Sequence, residues 1–506
     1  MNSFQGLLDG FAVALTPENI LFALIGCLVG MLVGVLPGIG QSAGMALLIP
    51  LTYVLPPAGA IIMLASIFYG AAYGGRITSI LMNIPGESES VVTTFEGYPM
   101  ARKGRAGIAL SVTAITSFVG AILSVIVVAF AALPLSLLAR YLGPPEYFAL
   151  MVLGLCLVVA LIDKSLVKGV LMLGLGLFLA QVGADPVQGS ARFSFGSPDL
   201  LAGIPLLAVI MGFFGVSDVL LAAGRRHIPG TMAKIDRLMP ERKDLKDSVG
   251  STLRGTAIGF IFGLIPGMVA AVSTFASYVT EKRVSKHPEK FGTGVIQGIT
   301  GPEAANKSFE ISSFIPLFTL GIPGSAALAI LMSAFLIQGV TPGPAMFTQS
   351  PDLVWGVIAS MVVGNVILLI LNFPLVKVWV QILKVPSDIL GMVVIAVSVV
   401  GIYSVNNSLI DILLLVLFSL LAVMLKLLQF PLPPLVLAFV LGGRIEGSFR
   451  QTLVLSGGNP MTFLTHPIAA TILVIAAASI IVLKVRRWKP LVPQPTTVEL
   501  DSSVNR

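Results

Sequence analysis

Four Pro-Gly dipeptides interrupt otherwise apolar stretches of this chain: Pro37-Gly38, Pro85-Gly86, Pro266-Gly267 and Pro323-Gly324. Proline removes a backbone donor and clashes with the preceding turn, and glycine admits positive φ, so together they break a helix. In an apolar surrounding, the freed amides and carbonyls cost several kcal/mol each unless protein, ion, water or ligand satisfies them. The chemistry on offer is therefore binding rather than bond-making. Half-helix N-termini suit carboxylates, and unwound carbonyls suit Na⁺.

Polar side chains gather at the breaks. Gly40, Gln41 and Ser42 follow the first. Arg76, Thr78, Ser79 and Asn83 precede the second, and Glu87 and Ser88 follow it. Ser273 and Thr274 follow the third, then Glu303, Asn306, Lys307, Ser308 and Glu310. Thr319 and Ser325 flank the fourth. Ionisable residues inside a membrane are functional candidates by default. Each also has a plainer reading: hydroxyls bonding back to their own helix, Glu87 as an interfacial carboxylate at a hairpin tip, Arg76 reaching for the interface. Any single break is equally readable as a kink.

The breaks recur in order. Residues 30–40 (GMLVGVLPGIG) match 259–268 (GFIFGLIPGM) at a separation of 229, and residues 80–88 (ILMNIPGES) match 318–326 (FTLGIPGSA) at a separation of 238. The Gly30/Gly34 and Gly259/Gly263 pairs predict close helix contact. Loop charge reverses between the two copies. In the first, the loop between motifs (PLTYVLPPAGA) is uncharged and the loop after them (YPMARKGRAG) is basic. In the second, EKRVSKHPEK lies between and VTPGPAMFTQSP follows. That reversal predicts an inverted-topology repeat, the arrangement of many secondary transporters.

The elements that position these residues must be membrane helices. Of 506 residues 56% are hydrophobic and 11% charged, with mean hydropathy +0.97. A soluble domain carries about 25% charged residues, so soluble enzymes, nucleic-acid binders and disordered proteins are excluded. Apolar stretches recur at 19–56, 58–84, 106–133, 147–162, 165–182, 200–223, 251–280, 295–340, 353–376, 386–404, 408–425, 432–443 and 464–483. They predict an all-α polytopic membrane protein with roughly ten to twelve crossings and Pro-Gly-broken helices or hairpins. The stretch LPPLVLAFVLGG, in 426–463, is left open as a half-span.

The net charge of +7 is read as loop charge that sets orientation. Basic clusters at 102–105, 225–246, 282–290 and 484–489 mark the cytoplasmic side, and loops 50–58, 183–199 and 341–352 hold only Arg192 and fit the outside. The N-terminus is then outside and the C-terminus cytoplasmic. The chain divides into a first half (1–224), a charged linker (225–250), a second half (251–489) and a polar tail (490–506). The N-terminal residues lack the basic region of a signal peptide.

Cys27 and Cys156 read as core residues. There is no Gly-Lys dipeptide, hence no Walker A loop, and no HExxH among three scattered histidines. No catalytic residue, metal site or cofactor is expected, apart from a possible coupling Na⁺.

At GCLVGMLVGVLPGIG, YGAAYGGRITSILMNIPGES, FEGYPMARKGRAG and GITGPEAANKSFEISSFIPLFTLGIPGSAA, the chain resembles the large membrane subunit of the tripartite tricarboxylate transporter family. The resemblance weakens only in the last 30 or so residues. It implies a bacterial inner-membrane location, a small membrane subunit of about four helices, and an extracytoplasmic solute-binding protein that delivers a di- or tricarboxylate. It also implies uptake driven by Na⁺ or H⁺. Rival readings are a standalone carboxylate exchanger or exporter and a polytopic membrane enzyme, which would need an acid/base pair or nucleophile that the sequence does not show.

Two residues depart from the pattern. Arg76 stands where the family usually has a small residue after Gly-Gly, and Lys307 where it usually reads Ala-Asn-Asn. Two readings follow: one of these cations contacts a substrate carboxylate, or Lys307 replaces a coupling cation, since a fixed ammonium disfavours a bound Na⁺. On the second reading, Lys307→Asn makes uptake Na⁺-dependent. Equal and strong Na⁺ dependence in both forms refutes it.

Overall fold

The computed structural model of the chain describes residues 3–35, 40–83, 85–139, 141–160, 165–185, 190–223, 238–266, 268–382 and 387–485. Pro37, Gly38 and Gly267, the first half of the predicted linker and the whole tail lie outside them. The described residues are almost wholly helical. Their one sheet is the short pairing of Gly183–Ala184 with Ala191–Arg192. Five helical spans are long and apolar enough to cross a membrane: Pro17–Val35, Pro57–Met82, Ser88–Leu137, Pro351–Asn372 and Leu409–Leu427. Shorter apolar helices lie between them, as at Pro144–Val159, Leu206–Leu221 and Ala326–Ile337. The all-α polytopic expectation holds.

Helices stop and restart at the Pro-Gly motifs. Pro17–Val35 ends before the first motif, and a new helix starts at Gln41. Arg242–Gly263 ends before Pro266, and the next helix starts at Ala270. Pro57–Met82 ends at Asn83 (φ 59°), and Phe314–Leu320 ends at Gly321 (φ 69°). Both caps are left-handed, a region that glycine and asparagine tolerate best. Gln41 and Ala270 are 229 positions apart, and Asn83 and Gly321 are 238 apart. The restart points thus follow the separations of the sequence motifs.

Packing follows the same separations. Gly26, Gly30 and Gly34 lie against the backbone of Met63, Ile67 and Ala71, and Gly255, Gly259 and Gly263 lie against that of Gly301, Ala305 and Phe309. A Cβ at Gly30 would stand 2.5 Å from the Ile67 carbonyl oxygen, and one at Gly259 would stand 2.1 Å from that of Ala305. Only glycine permits so close an approach of two helices. The ladders place Pro57–Met82 beside the first break and Gln297–Ser312 beside the third.

Each half is completed by the other. Ala106–Ala139 packs on Gln297–Ser312 of the second half, and Pro351–Ile382 packs on Pro57–Met82 of the first. Gly120 meets Ala304, while Gly364 meets Ser66, the residue 238 positions before Ala304. Ser124 donates to Ser308 (2.7 Å), and the Cys27 thiol reaches the Gly364 carbonyl (3.5 Å).

One expected boundary shifts, and the stretch left open falls within a single helix. The helix Arg242–Gly263 starts inside the predicted linker, because Glu241 and Asp244 form a capping box there. The stretch left open as a half-span opens one continuous helix, Pro433–Leu455, with proline at its first turn, where the missing donor costs nothing. The hairpin formed by Gly183–Ala184 and Ala191–Arg192 docks on that helix. There the Glu446 and Asp185 carboxylates hold the Arg192 guanidinium above its ordinary pKa.

Gly259→Ala should lower the thermal stability of the purified protein by about 1–3 kcal/mol through overpacking. Gly174→Ala, whose added Cβ meets nothing within 4 Å, should leave stability unchanged or slightly raised. Equal effects would show that the glycine ladder is not a packing constraint.

Candidate functional site

A cavity of about 340 Å³ lies where the breaks meet. Gly40–Ala43, Glu87–Glu89, Met268–Ala270 and Gly324–Ala327 all line it, one segment from each break. Three of these segments are starts of helices of eight residues or more: Gln41–Leu48, Ala270–Val284 and Ala326–Ile337. The first N–H groups of a helix have no partner within it and carry its positive dipole end. Phe68, Val158, Phe214, Phe309 and Leu437 supply apolar walls. The volume suits a small organic ligand.

The polar lining is acidic as well as donor-rich. Glu87 Oε1 accepts the Gln41 amide at 2.5 Å, so a carboxylate already caps that helix start. Gln41 Nε2 donates to Glu89 (3.2 Å), and Ser88 Oγ donates to the same carboxylate (3.0 Å). Asp218 also faces the cavity and pairs with Lys426 (2.6 Å). Glu310 is buried, and its Oε1 has no hydrogen-bond partner. Ser325 caps its own helix by accepting the Leu328 amide (3.2 Å).

Behind this wall lies a layer of buried charge. Arg76 forms an ion pair with Glu303, each side chain 3% exposed. Arg76 Nη1 donates to Ser117 (2.5 Å), and Thr93 donates to the other Glu303 oxygen. Lys307 Nζ bonds Glu310 Oε2 (2.6 Å) and the Tyr69 carbonyl (3.0 Å). The Tyr73 ring sits against both cations, 4.5 Å from Arg76 Cζ and 4.6 Å from Lys307 Nζ. Arg76 and Lys307 thus each have an internal carboxylate. Neither lines the cavity, so in this structure neither reaches a ligand there directly.

The candidates therefore separate into four groups. Gly40, Gln41, Ser42, Glu87, Ser88, Gly324 and Ser325 line the cavity. Arg76, Glu303 and Lys307 form the buried layer, with Asn306 beside them, its Oδ1 unpartnered. Thr78, Ser79, Thr274 and Thr319 bond back to carbonyls of their own helices, and Ser273 reaches the Ala305 carbonyl (3.5 Å). Asn83, Pro85, Gly86, Pro266 and Pro323 shape the breaks without lining the cavity.

Sequence reasoning missed Glu89 and Asp218. Glu89 was legible as a second acid on the same turn as Glu87, and Asp218 as an ionisable residue in the apolar run 200–223. Tyr69 and Tyr73 carried no such signal.

Residues 20–437 match the model of the tripartite tricarboxylate transporter TctA family. Two proteins of Agrobacterium vitis are similar. An "Uncharacterized 52.8 kDa protein in TAR-I ttuC' 3'region" is 42% identical over 485 residues, covering 95% of this chain and 96% of that protein. An "Uncharacterized protein in TAR-II ttuC' 3'region" is 42% identical over 215 residues, covering 42% of this chain and 89% of that protein. No solved structure matches.

Leaving one member of a buried ion pair unpaired costs about 3–5 kcal/mol, whereas replacing both by apolar residues is often near neutral. Arg76→Leu alone should therefore destabilise the protein by about that amount, and Arg76→Leu combined with Glu303→Leu should recover most of it. Thermal unfolding of the purified forms measures this. Equal losses in the single and double variants would show that the pair is not the operative interaction.

Proposed function

This chain belongs to the tripartite tricarboxylate transporter TctA family, and from that membership we propose that it is the substrate-translocating subunit of a cation-coupled, binding-protein-dependent importer of di- or tricarboxylates. The membrane-subunit role comes with the family. The direction of transport, the coupling and the division of labour are our reading. One observation carries it: three helix starts and the Glu87 turn converge on a single cavity of substrate size. Convergent helix N-termini in a membrane favour an anion, because their amides lack intrahelical partners and their dipoles add. Gln41, Ser42, Ser88 and Ser325 supply neutral donors around it. Such groups exchange readily with a ligand, as a transported solute requires.

In this reading the two halves sit in the membrane of a bacterial cell in opposite orientations, as their loop charges imply, with the cavity near the midplane. The repeated spacings of breaks and glycine contacts support a shared ancestry of the halves. A solute-binding protein outside the membrane delivers the carboxylate, and a small membrane subunit of about four helices completes the complex. The lining offers neutral donors and carboxylates around a volume that suits a small organic ligand, a set fitted to binding and release.

Purification of the tagged chain from its native membrane should co-isolate a small membrane subunit. The cognate binding protein should be stabilised against heat by di- or tricarboxylates, since a ligand that binds only the folded form raises its melting temperature. A panel in which only sugars or amines stabilise it would overturn the carboxylate assignment.

A further inference from the structure

The cavity proposed to take an anion is itself rich in negative charge. Of its four lining carboxylates, Asp218 is balanced by Lys426 and Glu310 by Lys307. Glu87 and Glu89 have no basic partner among the described residues. They lie in contact range of each other and within electrostatic reach of Glu310. An acidic turn alone would say little, but two further observations point to a ligand. Glu310, 1% exposed, is among the residues lining this cavity, and its Oε1 has no hydrogen-bond partner. Glu87 also occupies the place a bound carboxylate would take, on the Gln41 amide at the start of a helix. The second repeat lacks this feature. The residue 238 positions after Glu87 is Ser325, whose hydroxyl caps its own helix and carries no charge.

We propose that Glu87 couples proton and substrate by competing for one anion site. Ionised, it caps Gln41 and keeps the helix start occupied. Protonated, it gives up that amide to a substrate carboxylate, and the added proton offsets one of the substrate's negative charges. One proton is taken from solution as the anion enters, and it leaves with the anion on the far side. The Lys307 ammonium, held by Glu310 Oε2 and the Tyr69 carbonyl, is a fixed positive charge beside this cluster and disfavours Na⁺ there relative to a proton carried on a carboxylate.

Several elements bring charged and titratable groups toward this cluster. Lys307 shares Glu310's helix, and Arg76, Tyr69 and Tyr73 come from Pro57–Met82. Glu303 is held by Arg76. Asp218 and Lys426 pair at the cavity edge. Gln41–Leu48, Ala106–Ala139 and Ala326–Ile337 contribute no titratable side chain. Glu96 of Val91–Met100 is held by the Gly292, Gly294 and Val295 amides and by Tyr278, and Glu281 by Arg254.

The inference rests on the importer reading, and one experiment separates the two. Binding of citrate to the purified full chain is measured by thermal stabilisation across the neutral to alkaline range, where citrate keeps its full charge. Native affinity should fall about tenfold per pH unit once Glu87 ionises, as expected for one linked proton. Glu87→Gln should bind citrate with little pH dependence. In reconstituted vesicles it should exchange citrate without accumulating it under a proton gradient. If Glu87→Gln does not fold, Glu87→Asp, which keeps the titration but shortens the reach to Gln41, should shift the pH profile. Citrate binding that is independent of pH, or uptake driven by Na⁺ with no proton requirement, would overturn the inference and leave the importer reading standing. Binding of sugars or amines with no carboxylate bound at any pH would overturn that reading, and this inference with it.

Discussion

A backbone amide at a helix start has no partner within its own helix, and hydrocarbon offers none outside it. That constraint organises this molecule. Three helices start at one cavity, and the Glu87 turn joins them. Each start exposes donors that something must satisfy. Serine hydroxyls, a glutamate and a glutamine side chain do part of this. The rest of the donor field distinguishes the cavity from an apolar void. Breaking the helices has a second consequence, because their ends come to mid-structure only if the flanking helices approach closely. The glycine ladders at 26–34 and 255–263 allow that approach.

Buried charge is the second constraint. Arg76 and Lys307 lie in the tightly packed layer behind the cavity, where an isolated cation would be very unfavourable. Glu303 and Glu310 neutralise them, and Tyr73 covers both. Arg76 comes from the first half of the chain and Glu303 from the second, so the pair also ties the two halves together. Glu310 joins this layer to the cavity. One of its oxygens holds Lys307, and the other is unpartnered in a group that lines the cavity.

Much of this was legible beforehand because it rests on local rules. Pro-Gly in an apolar run breaks a helix in any context, and three breaks appear where the motifs predict them. The fourth, at Pro37-Gly38, lies in residues outside the described set, between a helix ending at Val35 and one starting at Gln41. The motif separations of 229 and 238 reappear in helix starts, left-handed caps and glycine contacts alike. Boundaries were less legible. The start of Arg242–Gly263 depends on a capping box within a charged segment that composition alone reads as linker.

By itself, the amino-acid sequence determined the class, the motif spacings, three of the breaks and the close helix pairs, because each depends on residues near one another in the chain or on regular spacing. Only the tertiary structure decided which polar groups share a site. Glu87 and Gln41 are 46 positions apart, and Arg76 and Glu303 are joined across the two halves. Charge pairing across such distances is set by how helices from both halves interleave. No local pattern encodes which carboxylate will neutralise which cation, or which will be left to face the cavity.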